Sequence, residues 1–236
     1  MVAAMRIGTV MTMNTEQASL PRLFQLISPS LPIGAYSYSQ GIEWAAERGW
    51  IGNVDELRDW LAGLMQNSQR YLELPLLLRL LAAWKGGDLE AVARWNDLLL
   101  ASRETRELRL EERQRAKAFL RILESLDPDI VPLQRDLLVT QHAVYALACA
   151  RWGIGDELAA HGLVWSWLEN LVLAAVKILP LGQSEGQRVL LALADDIPQL
   201  LADARQVEDD AIGAGSQAQA IASAAHESQY TRLFRS

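Results

Sequence analysis

The segment from Ala159 to Leu179 constrains this chain most. Leu163, Val164, Trp165, Trp167, Leu168, Leu171, Val172, Leu173, Val176 and Ile178 lie nearly all round a helix drawn on it. A helix apolar on every face is stable at the centre of a domain, so other helices must surround it. Its few polar residues, Ser166, Glu169, Asn170 and Lys177, fall near one narrow stripe. Two readings of that stripe stand: a solvent-facing edge satisfied by neighbours, or a contact surface or polar passage.

The rest of the chain supplies the surrounding helices. Ser19 and Pro21 read as the start of a short helix that stops at Ser28–Pro29. A second is predicted from Ser37 through Arg48. Asn53 with Glu56 makes a capping-box-like start, and Leu57, Trp60, Leu61, Leu64 and Met65 follow at i, i+3, i+4, i+7 and i+8. Further helices are expected over 74–84, closed by Gly86–Gly87, and from the Asp88 cap to Ser102. The helical pattern runs on over 103–126 until Asp127–Pro128–Asp129 breaks it. Others should span 133–151, the central helix from the Asp156 cap to Pro180, a helix after Ser184, one to Ile212 and a last one over 217–228. No run alternates with period two, and nothing repeats at a fixed period. The expected fold is all-α: a single domain of about nine or ten helices around the central apolar one. Residues 1–18 are expected to be a flexible tail, 19–228 the helical domain and 229–236 a C-terminal docking tail. Met5, Met11 and Met13 leave the start codon open.

Composition narrows the function classes. With 22 basic against 29 acidic residues, the net charge of −7 offers no basic surplus for nucleic acid. The lone Cys149 excludes an internal disulfide and fits a reducing compartment. Thr12, Asn14, Glu16 and Gln17 interrupt the N-terminus before a signal-peptide core develops. Arg79 and Lys177 interrupt the longest apolar runs, so neither reads as a membrane span. The expectation is a cytoplasmic protein.

No catalytic constellation stands out. His142, His161 and His226 are scattered, without an i,i+4 His pair or an H-E-x-x-H set, so no metal site is expected. Each is expected to be structural or on the surface, and Cys149 to be core. Leu179-Pro180-Leu181-Gly182-Gln183-Ser184-Glu185-Gly186 has two glycines near a helix start, but it lacks the spacing and the Lys of a nucleotide loop. No G-x-S-x-G elbow occurs. An enzyme reading survives only as an all-α hydrolase using Glu169 and Lys177. These lie about 12 Å apart along one helix axis and so do not pair within it.

Three other segments draw attention. Leu26 to Glu43 reads LISPSLPIGAYSYSQGIE, with two prolines, two glycines and two tyrosines around a short apolar frame. Ser102 to Arg113 is densely charged, with Arg103/Glu107 and Glu111/Arg115 as i,i+4 pairs. It reads as a solvated helix face, with docking as the lesser reading. The ending from His226 to Ser236 carries Tyr230, Arg232, Phe234 and Arg235, residue types enriched at interface anchors, around Leu233. Its preferred reading is a tail that orders on a partner; the alternative is a tail folded back on its own core.

These segments, with Asn170 to Gln187, resemble in order those of the urease accessory protein UreF family. Thr231 stands where a Ser is common, and the leading residues are extra. The resemblance implies an all-helical, dimer-forming accessory protein that performs no chemistry itself. It implies a bridge between the accessory protein UreD (UreH in some organisms) and the GTPase UreG, acting on the urease apoprotein. Nickel and GTP are then handled by the complex, with no cofactor bound directly by this subunit. By the same resemblance, Tyr230, Arg232, Leu233, Phe234 and Arg235 would dock the UreD-type partner. Tyr36, Ser37, Gln40, Glu43 and Lys177 would lie at the UreG-facing surface or the dimer.

Overall fold

In the computed structural model, which describes residues 15–130 and 137–236, the central segment is the helix α8, Asp156–Ile178. It packs against α1 (Thr15–Ile27), α2 (Ile42–Glu47), α4 (Leu74–Gly86), α9 (Gln183–Ala194) and α10 (Ile197–Ala204). It is long and apolar enough to cross a membrane by length and composition, but over half of its apolar window is buried in the fold. Its N-cap is Gly155 rather than the expected Asp156, which instead places a carboxylate in the first turn.

The centre is shared. Every residue of α7 (Gln141–Arg151) from Gln141 to Cys149 is buried. α7 lies between α4 and α6 (Arg106–Leu126), and α5 (Leu89–Ala101) covers α4. α3 (Val54–Leu64) and α11 (Gln217–His226) complete the helices. Among the described residues there is no strand. The apolar core is continuous, from Leu23 in α1 to Ala222 in α11.

Several starts follow from local chemistry. Asn53 Oδ1 accepts the N–H groups of Asp55 and Glu56, both at 3.0 Å, and Glu56 reaches back to the Gly52 N–H at 2.7 Å. Asp88 caps α5 through the Ala91 N–H. α3 and α4 are not separate, as the pattern suggested. A π-helical stretch, Met65–Glu73, joins them without a break. Pro75 has no N–H to give the Tyr71 carbonyl, which takes the Gly213 N–H at 3.1 Å instead.

Other boundaries differ from expectation. The helix predicted from Ser37 is a 3₁₀ turn, Ala35–Ser37, followed by α2 only from Ile42. Gln40 (φ +51°) and Gly41 (φ +89°) turn the chain left-handed between them, which a continuous helix forbids. α1 begins at Thr15, with Pro21 inside it rather than at its start; residues 1–14 of the predicted tail, with the candidate start methionines, lie outside the described residues. α7 begins at Gln141, where the Thr140 hydroxyl accepts the Ala143 N–H, rather than at Leu133. Part of that expectation, residues 133–136, also lies outside the described residues. α10 ends at Ala204, well before Ile212, and α11 at His226, short of Ser228.

Candidate functional site

The Leu26–Glu43 segment, the first half of α6 and the C-terminal tail meet at one place. The backbone there is set by the left-handed pair Gln40–Gly41. A Cβ on Gly41 would lie 3.0 Å from the Ala222 Cβ and 3.1 Å from the Ser223 N, so glycine lets α11 approach this closely. The turn aims Gln40 inward: its Nε2 donates to Glu111 Oε1 at 2.9 Å, and its Oε1 accepts Trp167 Nε1–H at 3.0 Å. Gln40 thereby ties α6 to α8.

Glu43, one turn on, is buried and holds the tail. Its two carboxylate oxygens accept the backbone N–H groups of Leu233 at 2.6 Å and Phe234 at 2.9 Å. His226, fully buried, stands between Glu43 (3.4 Å) and Glu107 (2.7 Å). Glu107 in turn pairs with Arg232 at 2.8 Å. The Arg235 N–H donates to the Ser37 carbonyl at 2.8 Å, and the Ser236 carbonyl accepts both the N–H and the hydroxyl of Ser39. Phe234 is buried with Lys177 Nζ 5.8 Å from its ring centre. The preferred expectation of a tail that orders on a partner is therefore corrected: the tail is already folded onto its own chain, through its backbone groups and through the Arg232 and Phe234 side chains.

Two of the expected residue groups thus become one. Ser37, Gln40, Glu43 and Lys177 all touch the tail or its supports; Gln40 and Glu43 do so as internal bracing. The outward-facing side chains are Tyr230, Leu233 and Tyr36, at 102, 66 and 64 % exposure. Arg232 and Arg235 are exposed too.

The charged run is a second departure. Glu111, Glu112 and Arg115 are buried, and the Arg103 side chain keeps only 15 % exposure, so the solvated-face expectation fails for them. Arg103 does not pair with Glu107. It forks between Glu73 of the π stretch, at 2.5 and 3.0 Å, and Glu112. Glu111 and Arg115 pair as expected, at 2.8 Å. His142 Nε2 lies 2.9 Å from the Glu73 carboxylate, a close contact whose alignment falls short of a hydrogen bond. Burial alone would raise the Glu73 carboxyl, but Arg103 and His142 overcome it and hold it well below the usual carboxylate range. Glu112 is lowered in the same way: burial is opposed chiefly by Arg103. These groups line a narrow polar cavity of about 40 Å³, room for a few waters. One signal in the sequence could have found the cluster. Glu111, Glu112 and Arg115 share the i, i+3, i+4, i+7 face with Leu108 and Phe119, which is the apolar side of α6.

The hydrolase pair is not brought together. Burial raises the Glu169 carboxyl, but Lys177 is exposed and engaged with Phe234, and neither residue lines any cavity described here. Cys149 is buried and its thiol is pushed up to about 12, first by burial, which leaves it unreactive core. His142 and His226 are internal, and His161 Nδ1 bonds to the Glu157 carbonyl within α8. Among the described residues no group of three or more His, Cys, Asp or Glu is arranged to hold a metal ion.

Comparison with known proteins matches residues 51–194 to the UreF family. The urease accessory protein UreF of Alcanivorax borkumensis is 54 % identical over 223 residues, covering 91 % of this chain and 97 % of that protein. The proteins of the same name from Alkalilimnicola ehrlichii and Pseudomonas putida KT2440 are 47 % and 44 % identical. They are covered over 95 % and 100 % of their lengths, and cover 91 % and 95 % of this chain.

Proposed function

The chain belongs to the UreF family of urease accessory proteins, and on that premise we propose that it is a non-enzymatic assembly scaffold. It bridges UreD (UreH) and the GTPase UreG, so that GTP hydrolysis by UreG drives nickel into the urease apoprotein. It works in the cytoplasm as a homodimer. Nickel is cargo of the assembly, and GTP belongs to UreG.

The observation that carries this reading is the anchored tail with its outward Tyr230 and Leu233. Large apolar side chains held outward on an ordered backbone bind with less ordering cost than the same residues on a free chain. Tyr230, Leu233 and Tyr36 are the contact residues for the UreD-type partner, flanked by Arg232 and Arg235. Phe234 acts one step back, as the tail's anchor. Ser37, Gln40, Glu43 and Lys177 support the same surface from beneath.

Reconstitution tests it. UreD, UreG and urease apoprotein are mixed with nickel and GTP, with or without this chain, and nickel incorporation and urease activity are read. Activation that requires both this chain and hydrolysable GTP is expected. GTP hydrolysis by the purified chain without UreG would contradict the non-enzymatic role.

A further inference from the structure

The outer face of α6 carries a row of cations that the tail-docking reading does not use. Arg106, Arg113, Lys117 and Arg121 are all exposed, and among the described residues none of them forms an ion pair. The elements packed most extensively on α6 are α7 and the 3₁₀ turn Pro128–Ile130, and the four cations lie on the exposed side away from them. Two surface cavities of about 420 and 380 Å³ lie along it and join at Tyr38, Gln114 and Arg235. Five cations line the combined groove, against the carboxylates of Glu107 and Glu227 at one end only. Glu107 is already committed to His226 and Arg232.

This arrangement is costly for the chain alone. Arg113, Lys117 and Arg121 stand four residues apart, where like charges repel. Arg106 places a cation in the first turn of α6, at the positive end of the helix dipole. A protein of net charge −7 that concentrates unpaired cations on one exposed helix face has built an acceptor for negative charge.

We propose that this groove binds an extended acidic segment of a partner protein. Its length sets the class of ligand: Arg106 to Arg121 spans about 22 Å along the axis, the reach of about seven extended residues and far beyond a single phosphate. Half-exposed Leu110 and exposed Pro32 give an apolar foothold at each end. Nucleic acid fits less well, because the one aromatic side chain in the groove, Tyr38, is buried and offers no stacking face.

The test uses the full chain and a fluorescent peptide of about eight residues, Asp and Glu around one central Leu, read by anisotropy. Saturable binding that weakens as salt rises is expected. Lys117→Glu with Arg121→Glu should weaken it roughly tenfold or more, whereas Arg188→Glu, an exposed cation on α9, should leave it unchanged. Both variants are checked for native helical signal and melting. No saturable binding, or equal loss in the Arg188 variant, overturns the proposal. So does an equally charged single-stranded DNA that binds as tightly through Lys117 and Arg121. A dimer that dissolves in the double variant without peptide binding assigns the face to a second copy instead, and also overturns it. Neither substituted residue belongs to the tail, so this test and the test of tail docking fail separately.

Discussion

The Glu43 carboxylate accepts the backbone N–H of Phe234 at 2.9 Å across 191 residues of sequence. With the companion bond to Leu233 and the contact to His226, one buried side chain holds the tail, α2 and α11 together.

Glu43→Gln keeps the shape but removes the charge that strengthens three contacts. Hydrogen bonds to a charged group contribute about 1.5–3 kcal/mol, so a loss of about 2 kcal/mol is expected, a fall in Tm of roughly 4–8 °C for a chain of this size. Trypsin should cut faster after Arg232, and the Leu233 and Phe234 amides should exchange faster with solvent. Unchanged cleavage and exchange would show that Glu43 does not hold the tail.

Acid should unfold the protein through the buried charge cluster between α6 and the π-helical stretch. Glu73 and Glu112 have lowered folded-state values, so their contribution is fully present above the ordinary value of 4.5 and is lost as pH falls below it. Urea titrations from pH 7 to pH 3 should show stability flat at first and then falling. Glu73→Gln leaves Arg103 half-paired and should cost about 3–5 kcal/mol, while making the acid slope shallower by one proton. An unaltered slope in that variant would remove Glu73 from the account.

Gly41→Ala should be destabilising for two independent reasons, the left-handed backbone and the 3.0 Å approach to Ala222. Together these predict about 1–3 kcal/mol, read as a lower Tm. Gly49→Ala shares the positive φ but meets nothing within 4 Å, and so should cost less. Equal losses would mean that the approach of α11 contributes nothing.

The parts of the fold set by neighbours in sequence were legible. The apolar 159–179 segment, the Asn53 and Asp88 caps and the breaks at Gly86–Gly87 and Asp127–Pro128 each state their structure within a turn or two of chain. What was not legible depends on distant partners. Gln40 adopts a left-handed backbone because Glu111 and Trp167 receive its side chain, and no local propensity announces that. At the end of the π stretch the Tyr71 carbonyl takes its N–H from Gly213, a partner 142 residues away. The tail's backbone bonds to Glu43 leave no trace in its side-chain pattern, so its aromatic and basic residues suggested only docking. The buried charges of α6 are recoverable from the helical face they share with Leu108 and Phe119, although their density alone suggests a solvated face.

The central claim is that an anchored tail presents Tyr230 and Leu233 to a UreD-type partner, and co-purification of that partner with a Tyr230→Ala, Leu233→Ala variant tests it most directly. Both side chains are exposed, at 102 and 66 %, so helical content and Tm should stay within a degree or two of the parent, as surface changes usually do. The folded double variant should no longer retain the partner and should no longer support urease activation. Full retention of the partner by that variant would contradict the central claim.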